Sequence, residues 1–253
     1  MNRRLRSGLT APLRLLSPSL ARLVVRATMR AVADGSNASR VLRTLLAVER
    51  DVGGLIDEVA MRYGDGVHVK HRLTGYHDFF VDRINRGERV LDIGCGYGAV
   101  AYSVATRADA VVVGVDLDPA NVDAARRRFP DPRLTFIVGD VTRDVPDGPF
   151  DVVIASNIVE HLADRVAFYQ AVQAALQPSR WLVRVPLVDR DWKVSLRREL
   201  GLPYFSDPTH RVEYTRSSFE DEVAAARLCV RELRVNWGEI WAEVFAPTAS
   251  SPA

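Results

Sequence analysis

From residue 89 onward, the sequence alternates short apolar runs with stretches of helical periodicity. This alternation is typical of βαβ units, which build a parallel sheet with helices on its faces. The last two apolar runs are separated by Gly238, a spacing that favours an antiparallel pair at the edge of the sheet. The predicted strands cover residues 89–93, 110–116, 134–138, 150–156, 180–185, 230–237 and 239–246. The sequence therefore predicts an α/β fold with a seven-stranded sheet, mostly parallel with an antiparallel last strand.

The first predicted strand leads into a glycine-rich turn, VLDIGCGYGAV at residues 90–100. Gly94, Gly96 and Gly98 carry no side chain, so a ligand can approach the backbone closely. The turn follows the carboxyl end of a parallel strand, where open α/β sheets bind ligands. Its spacing is G-x-G-x-G rather than the G-x-G-x-x-G of dinucleotide-binding proteins. The turn alone therefore predicts a ligand site but does not identify the ligand.

Acidic residues end the next two predicted strands. Asp116 lies 22 residues after Gly94, where a carboxylate can accept hydrogen bonds from both hydroxyls of a ribose. Asp140 is placed to accept from an exocyclic amine, and Val141 is placed to line an adenine ring. The fourth predicted strand and the residues after it read FDVVIASNIVEHL, residues 150–162. The end of this segment would face the group to be transferred.

Taken in order, these four motifs resemble those of class I S-adenosylmethionine-dependent methyltransferases, and within them the small-molecule enzymes with LDIGCGxG and EHL motifs. The resemblance covers about residues 70–246 and implies a Rossmann-like methyltransferase sheet with S-adenosylmethionine as cofactor. Residues 66–84 are similar to a segment that precedes the first strand in enzymes modifying sugars and polysaccharides, where it folds over the cofactor. The implied cofactor-binding residues are Tyr76 at the methionine carboxylate, Asp92, Gly94, Cys95, Gly96, Gly98, Asp116, Leu117, Asp140, Val141, and Ser156 and Asn157 near the sulfonium.

The chemistry of the acceptor determines which further residues are needed. Methyl transfer is an in-line displacement in which positioning dominates, but a hydroxyl acceptor near neutral pH needs a general base or a metal. His210, oriented by Asp207, is the first candidate base, and His161 beside Glu160 is the second.

A metal site is the alternative to a protein base. The E-x-x-E-H motif of ubiquinone O-methyltransferases and small-RNA 2′-O-methyltransferases resembles residues 157–161 here. Asn157 stands in place of the first glutamate, which weakens the charge at the site, so no metal is predicted.

A long insert, about residues 186–216, follows the fifth strand and could form the acceptor pocket. Its aromatic residues alternate with cationic ones, which suits apolar walls and contacts to phosphate or carboxylate. The alternative is an ordinary amphipathic helix and loop. The residues concerned are Trp192, Tyr204 and Phe205 with Lys193, Arg197, Arg198 and Arg211.

The amino-terminal part differs in charge from the rest. Residues 1–33 contain seven arginines and no acidic residue, which leaves 27 basic and 32 acidic residues in 34–253. We expect a basic helical extension over residues 1–62, interrupted near Gly53 and Gly54, and a methyltransferase domain over 63–253. An arginine-rich amphipathic helix can lie on an anionic membrane, as a peripheral contact, or can simply cover the core.

These features together predict O-methylation of a small-molecule hydroxyl on a sugar, glycan precursor or secondary metabolite, including phosphate-bearing ones. Nucleic acid is disfavoured because the body is not basic and no N-P-P-Y-like signature follows the fourth strand. The alternatives are an RNA or lipid-linked acceptor, and a non-catalytic scaffold that binds the cofactor. Cys95 and Cys229 are too few for a disulfide framework, which favours a cytoplasmic protein; the oligomeric state stays open.

Overall fold

The computed structural model describes residues 15–247. The chain divides into two compact units, one comprising residues up to Val59 with Glu199–Leu202, the other comprising Ala60–Arg198 and the residues from Pro203 onward. The first 14 residues of the predicted basic extension, with four of the seven arginines of residues 1–33, lie outside the described residues, as do 248–253. The predicted division into 1–62 and 63–253 stays a prediction.

The elements follow one another largely as the apolar pattern indicates. The strands are β1 (Arg89–Ile93), β2 (Val111–Asp116), β3 (Leu134–Val138), β4 (Val152–Ser156), β5 (Arg180–Pro186), β6 (Cys229–Asn236) and β7 (Glu239–Phe245). The α-helices are α1 (Pro18–Ala33), α2 (Ala38–Tyr63), α3 (Lys70–Thr74), α4 (Tyr76–Val81), α5 (Ala99–Arg107), α6 (Pro119–Arg128), α7 (Arg165–Leu176), α8 (Trp192–Glu199) and α9 (Arg216–Ala225). A 3₁₀ helix covers Val159–His161.

The strands form one sheet in the order β3-β2-β1-β4-β5-β7-β6. Strands β1 to β5 are parallel, and β7 is antiparallel to both β5 and β6. The predicted seven-stranded, mostly parallel Rossmann-like sheet is therefore confirmed. Because the chain order reverses between β1 and β4, the carboxyl ends of these strands form the switch point at which such sheets bind ligands.

The two central strands are buried on both faces, as expected of a parallel sheet covered by helices. Val90 and Leu91 in β1 are inaccessible to solvent, and so are Val153 and Ile154 in β4. Separate apolar clusters lie on the two faces of the sheet. This packing holds the ends of β1 and β4 rigidly beside each other.

In the amino-terminal unit, α1 begins at a regular cap, since the Ser17 side chain accepts a hydrogen bond from the Leu20 backbone amide at 3.3 Å and Pro18 follows. The expected interruption of the second helix is wrong: α2 continues through Gly53 and Gly54. Glycine costs about 1 kcal/mol in a helix interior, which the long helix tolerates. No helix among residues 15–247 is both long and apolar enough to cross a bilayer.

Candidate functional site

The glycine turn after β1 combines tight packing with an open backbone. Gly94 and Gly98 have φ of +67° and +78°, and an added Cβ would lie 2.4 Å from Ile158 Cδ1 and 2.6 Å from Phe136 Cζ, respectively. Gly96 also has a positive φ of +53°, but no atom of the described chain lies within 4 Å of its Cβ position. The outer glycines are therefore required by packing, whereas Gly96 leaves space in which a ligand can approach the backbone.

A cavity of about 330 Å³ opens at the carboxyl ends of β1, β2, β3 and β4. Its volume lies within the range of small-molecule sites. Six predicted site residues line it, together with apolar side chains that include Ile158 and Phe168: Gly94, Asp116, Leu117, Asp140, Val141 and His161. The sequence motifs at the ends of four separate strands therefore meet at one cavity.

The carboxylate of Asp116 is held in place by the turn that it faces. Its Oδ2 accepts a hydrogen bond from the Gly96 amide at 2.8 Å. Its Oδ1 accepts from the Asp118 amide at 2.9 Å and from Asn121 Nδ2 at 3.0 Å. These hydrogen bonds fix the carboxylate at the cavity wall. They also link the glycine turn to the end of β2.

Asp140 remains ionised beside the same cavity. Its Oδ1 accepts from the Thr142 hydroxyl at 2.6 Å and from the Thr142 amide at 3.0 Å, and Arg143 Nε lies 3.4 Å from Oδ2. The hydrogen bond from the Thr142 side chain is the main cause that lowers the pKa of Asp140. The site therefore contains a carboxylate that can accept a hydrogen bond from a ligand amine.

Asp92, at the end of β1, is buried and incompletely satisfied. Its Oδ2 has no hydrogen-bond partner in the described part of the chain. Burial, followed by the charge of Asp116, raises the pKa of Asp92 from 3.8 to about 7. Burial likewise raises the pKa of the neighbouring Cys95 thiol, so this thiol stays protonated. A buried oxygen without a partner fits a cationic donor such as a ligand ammonium group.

Tyr76 is buried and already engaged by its neighbours. Its hydroxyl lies 2.8 Å from His71 Nδ1, and the Arg184 guanidinium carbon lies 3.7 Å from the centre of its ring. His71 Nδ1 also lies 2.9 Å from His77 Nε2, and His77 Nδ1 lies 2.7 Å from the Ser103 hydroxyl. Burial lowers the pKa of His71 to about 3 and that of His77 to about 4, so both rings are neutral. Contact of Tyr76 with the methionine carboxylate stays a prediction.

Ser156 and Asn157 end β4 but do not line the cavity just described. Asn157 has a φ of +54°, and its backbone amide donates to the Arg184 carbonyl at 2.7 Å. In the orientation that satisfies both polar atoms of the Asn157 side chain, its nitrogen donates to the Arg184 carbonyl at 3.1 Å. Its oxygen then accepts from Arg184 Nη2 at 3.0 Å. The Asn157 side chain is therefore bound to β5, and the predicted roles of Ser156 and Asn157 beside the sulfonium stay predictions.

Glu160, His161 and His210 come together beside the cavity. Glu160 is fully buried, and neither of its carboxylate oxygens has a hydrogen-bond partner among residues 15–247. Burial is the main cause that raises the pKa of Glu160 to about 8. His210 Nε2 lies 3.9 Å from Glu160 Oε1, and the centres of the two imidazole rings are 4.6 Å apart. One ligand atom from each residue lies within 4.8 Å of the others, close enough to share a metal ion.

The structure corrects the expected partner of His210. Glu213, rather than Asp207, approaches the ring: its Oε1 lies 3.1 Å from His210 Nδ1. Glu213 also accepts from the Ser206 hydroxyl at 2.7 Å, from the Ser206 amide and from Arg190. Burial is the largest single effect and would raise the pKa of Glu213, but these hydrogen bonds outweigh it and lower that pKa. An ionised Glu213 can accept a proton from His210 Nδ1, and the opposite ring nitrogen, Nε2, then faces Glu160.

Asp207 instead acts on His161 through Thr209. The Thr209 hydroxyl donates to Asp207 Oδ1 at 2.5 Å and lies 2.9 Å from His161 Nδ1. Since the hydroxyl proton is used by Asp207, His161 donates from Nδ1 and keeps a lone pair on Nε2. Burial, followed by the charge of His210, lowers the pKa of His161, which favours this neutral ring.

The insert after β5 contributes no residue to the cavity described above, and its role as the acceptor pocket stays a prediction. Phe205 lies beside the site, with its ring centre 6.5 Å from that of His210 and 4.7 Å from that of Tyr204. Arg211 donates from Nε to the His161 carbonyl at 3.2 Å. Trp192 is 71% exposed at the start of α8. Aromatic and cationic groups of the insert thus lie next to the histidines, whereas Trp192 faces solvent.

Comparison with known proteins identifies the domain. Residues 90–179 match a family described as a methyltransferase domain. A ubiquinone biosynthesis O-methyltransferase from a strain of Rhodopseudomonas palustris is 32% identical over 120 residues, covering 47% of each chain. One from Bradyrhizobium diazoefficiens is 34% identical with the same coverage. The chain therefore spans about half the length of the curated relatives that it matches.

Solved structures share the fold at low sequence identity. A putative methyltransferase bound to the Haloferax volcanii Trm112 activator has a TM-score of 0.59 and 18% identity, covering 71% of this chain and 92% of the other. An O-methyltransferase of neocarzinostatin biosynthesis, solved with S-adenosyl-L-homocysteine, has a TM-score of 0.56 and 21% identity, covering 80% and 60%. Residues 90–179 thus match a methyltransferase domain, and the sheet around them has the fold of these solved methyltransferases, as the sequence motifs implied.

Proposed function

We propose that this protein transfers the methyl group of S-adenosylmethionine to a hydroxyl oxygen of a small molecule. The observation that carries the proposal is the approach of His161, His210 and Glu160 to one another beside the cavity at the switch point. Methyl transfer to a hydroxyl near neutral pH needs a group that removes the hydroxyl proton or stabilises the negative charge left on the oxygen. The Nε2 atoms of His161 and His210 are the groups proposed for this role.

The cavity offers groups that fit each part of the cofactor. Asp116 would accept from the ribose hydroxyls, and Asp140 from the exocyclic amine of adenine, with Val141 against the ring. The partnerless Oδ2 of Asp92 would accept from the methionine ammonium, which also favours the ionised carboxylate. When bound, S-adenosylmethionine supplies a methyl group that its sulfonium already activates. The chain's own contribution is then to align donor and acceptor.

His210 is the proposed general base, with the proton accepted at Nε2. Glu213 is its positioning residue, because the carboxylate holds the opposite ring nitrogen at 3.1 Å and stabilises the imidazolium that forms. His161, whose Nε2 is also unprotonated, is the second candidate. Glu160, kept protonated near neutral pH by its burial, contributes no negative charge that would compete for the proton.

A second candidate is the same transfer with a bound metal ion. It is favoured by the three ligand atoms of Glu160, His161 and His210, since imidazole and carboxylate together suit transition-metal ions. A metal held there would lower the pKa of an acceptor hydroxyl. Dialysis against a chelator separates the two: activity that is lost and then restored by added metal supports the metal, and unchanged activity supports the base.

The acceptor class is the finer part of the proposal. Phe205 and Arg211 support an acceptor with an apolar part and a negative or hydroxyl-rich part, such as a sugar, a glycan precursor or a secondary metabolite. Transfer of labelled methyl from S-adenosylmethionine into fractionated cell extract tests this. Label in the small-molecule or glycan fraction is expected, whereas label in RNA or lipid would support those alternative acceptors. Cofactor binding without any labelled product would support the scaffold alternative.

One variant tests the base directly. We expect His210→Gln to reduce kcat by about 100-fold, the usual scale for a lost general base, while the affinity for S-adenosylhomocysteine stays within twofold. An unchanged kcat would exclude His210 as the base. Asp116→Asn is the matched control, because it should weaken cofactor binding instead.

A further inference from the structure

Helix α1 is amphipathic, and none of its side chains is buried against the described chain. Leu20, Leu23 and Val24 recur at helical spacing and are 45%, 62% and 43% exposed. The exposed residues Ala27 and Ala31 continue the same face one and two turns later. A 16-residue helix depends on packing for most of its stability. Ala21, Met29 and Val32, away from this face, are half-buried, so the exposed face of Leu20, Leu23 and Val24 can take a further partner surface.

The charge of α1 is entirely positive. Arg22, Arg26 and Arg30 follow one another at intervals of four residues, which places them in one strip beside the apolar face. The helix contains no acidic residue, and the 16 residues before its cap add four more arginines. An apolar face flanked by arginines is the pattern of a helix that lies in the interface of a membrane, where arginine side chains extend to the lipid phosphates.

From these observations we propose that α1 binds the surface of a membrane that contains anionic lipid. Its apolar face would enter the boundary between head groups and acyl chains, and its arginines would contact the phosphates. The helix would lie parallel to the surface. This inference does not depend on the proposed methyl transfer, since α1 contributes no residue to the cavity described above.

The positive charge of α1 favours a membrane over a second copy of the chain as the partner of its apolar face. Two α1 helices packed face to face would place six arginines close together. Asp34 of each copy, 3.3 Å from Arg30, leaves most of that charge uncompensated, which is unfavourable. Helix α2 has its own exposed apolar residues, including Leu55 and Ile56, but these stand among the acidic residues Asp51, Asp57 and Glu58. That face does not suit an anionic surface, so it offers a control of similar hydrophobicity and opposite charge.

The test is co-sedimentation of the full-length protein with vesicles of phosphatidylcholine alone, or of phosphatidylcholine and phosphatidylglycerol in equal parts. We expect binding to the anionic vesicles that falls steeply as salt is added. Replacing the three α1 arginines by glutamine should weaken binding by about 100-fold, at roughly fivefold for each charge. The double variant L20S/L23S should also abolish sedimentation, whereas L55S/I56S should leave it unchanged.

The same preparations reveal the outcomes that would overturn the proposal. Equal binding to neutral and anionic vesicles, or equal loss in the α1 and α2 variants, would refute it. So would a dimer in size-exclusion chromatography that L20S/L23S converts to a monomer, because the second copy would then cover this face. Circular dichroism and S-adenosylhomocysteine binding should be the same in every variant. A failure of cofactor binding in the unmodified protein would instead concern the proposed function.

Discussion

Replacement of Asp92 by asparagine should remove a pH-dependent penalty on the stability of the cofactor-free protein. The unfolded chain loses the Asp92 proton near pH 3.8, whereas the folded protein, in which burial raises the pKa, loses it near pH 7. Between these values the folded state binds more protons than the unfolded state, so the contribution of Asp92 to stability falls as pH rises. Asparagine has no charge to bury, and it removes this dependence.

The size of the effect follows from the two pKa values. A difference of about three pKa units corresponds to about 4 kcal/mol when the group is fully ionised in both states. Part of that penalty is already present at pH 5. The difference in the free energy of unfolding between variant and wild type should therefore change by about 2–3 kcal/mol from pH 5 to pH 8. The buried amide also leaves an unsatisfied N–H group where Oδ2 was, which costs about 1–3 kcal/mol at every pH. The change with pH is therefore the informative quantity.

Urea unfolding of Asp92→Asn and wild type at both pH values measures this change. Asp123→Asn, on the solvent side of α6, is the matched control, since its carboxylate is 57% exposed and 3.6 Å from Arg126. Its effect should stay below about 0.5 kcal/mol at either pH. If the Asp92→Asn difference is the same at pH 5 and pH 8, the raised pKa is refuted. The same variant should lose S-adenosylmethionine affinity, because a neutral amide is a poorer partner for the ammonium group.

Two further predictions concern the base and the glycine turn. Glu213→Gln should reduce kcat by about 100-fold while S-adenosylhomocysteine affinity, measured by calorimetry, stays within twofold, because it loosens His210 without touching the cavity; a loss confined to cofactor affinity would contradict this role. Gly98→Ala should lower the free energy of unfolding by about 1–3 kcal/mol more than Gly96→Ala, since both have positive φ but only the first meets the buried Phe136 ring. Equal losses in denaturant titrations would show that backbone strain alone matters.

The sheet and the cofactor motifs could be predicted because their signals are local. Each parallel strand is a short apolar run, and the carboxyl end of each run is defined by the residue at which it stops. Asp116 and Asp140 therefore fell at the same edge as Gly94 without any knowledge of tertiary contacts. The helix through Gly53 and Gly54 could not be predicted in this way, because a glycine pair lowers helix propensity without excluding a helix.

The partners of His161 and His210 depend on contacts between distant segments. His161 and Thr209 are 48 residues apart in sequence, and nothing local in either segment indicates their contact. Proximity in sequence alone favours Asp207 as the partner of His210. Glu213, three residues from His210, is equally close in sequence. What distinguishes it is its buried carboxylate, which binds Arg190 and Ser206.

The region proposed for the acceptor is built by a segment attached to β5 rather than by a strand motif. Leu187 and Tyr214 form an isolated parallel bridge, and the Val188 amide donates to the Tyr214 carbonyl at 2.7 Å. The Arg211 amide then donates to the Glu160 carbonyl at 2.8 Å, which brings His210 to the 3₁₀ helix. A change in the length or sequence of residues 189–209 would thus alter the environment of the acceptor while the glycine turn and Asp116 remain as they are. For this reason the sequence motifs identify the cofactor more readily than the acceptor.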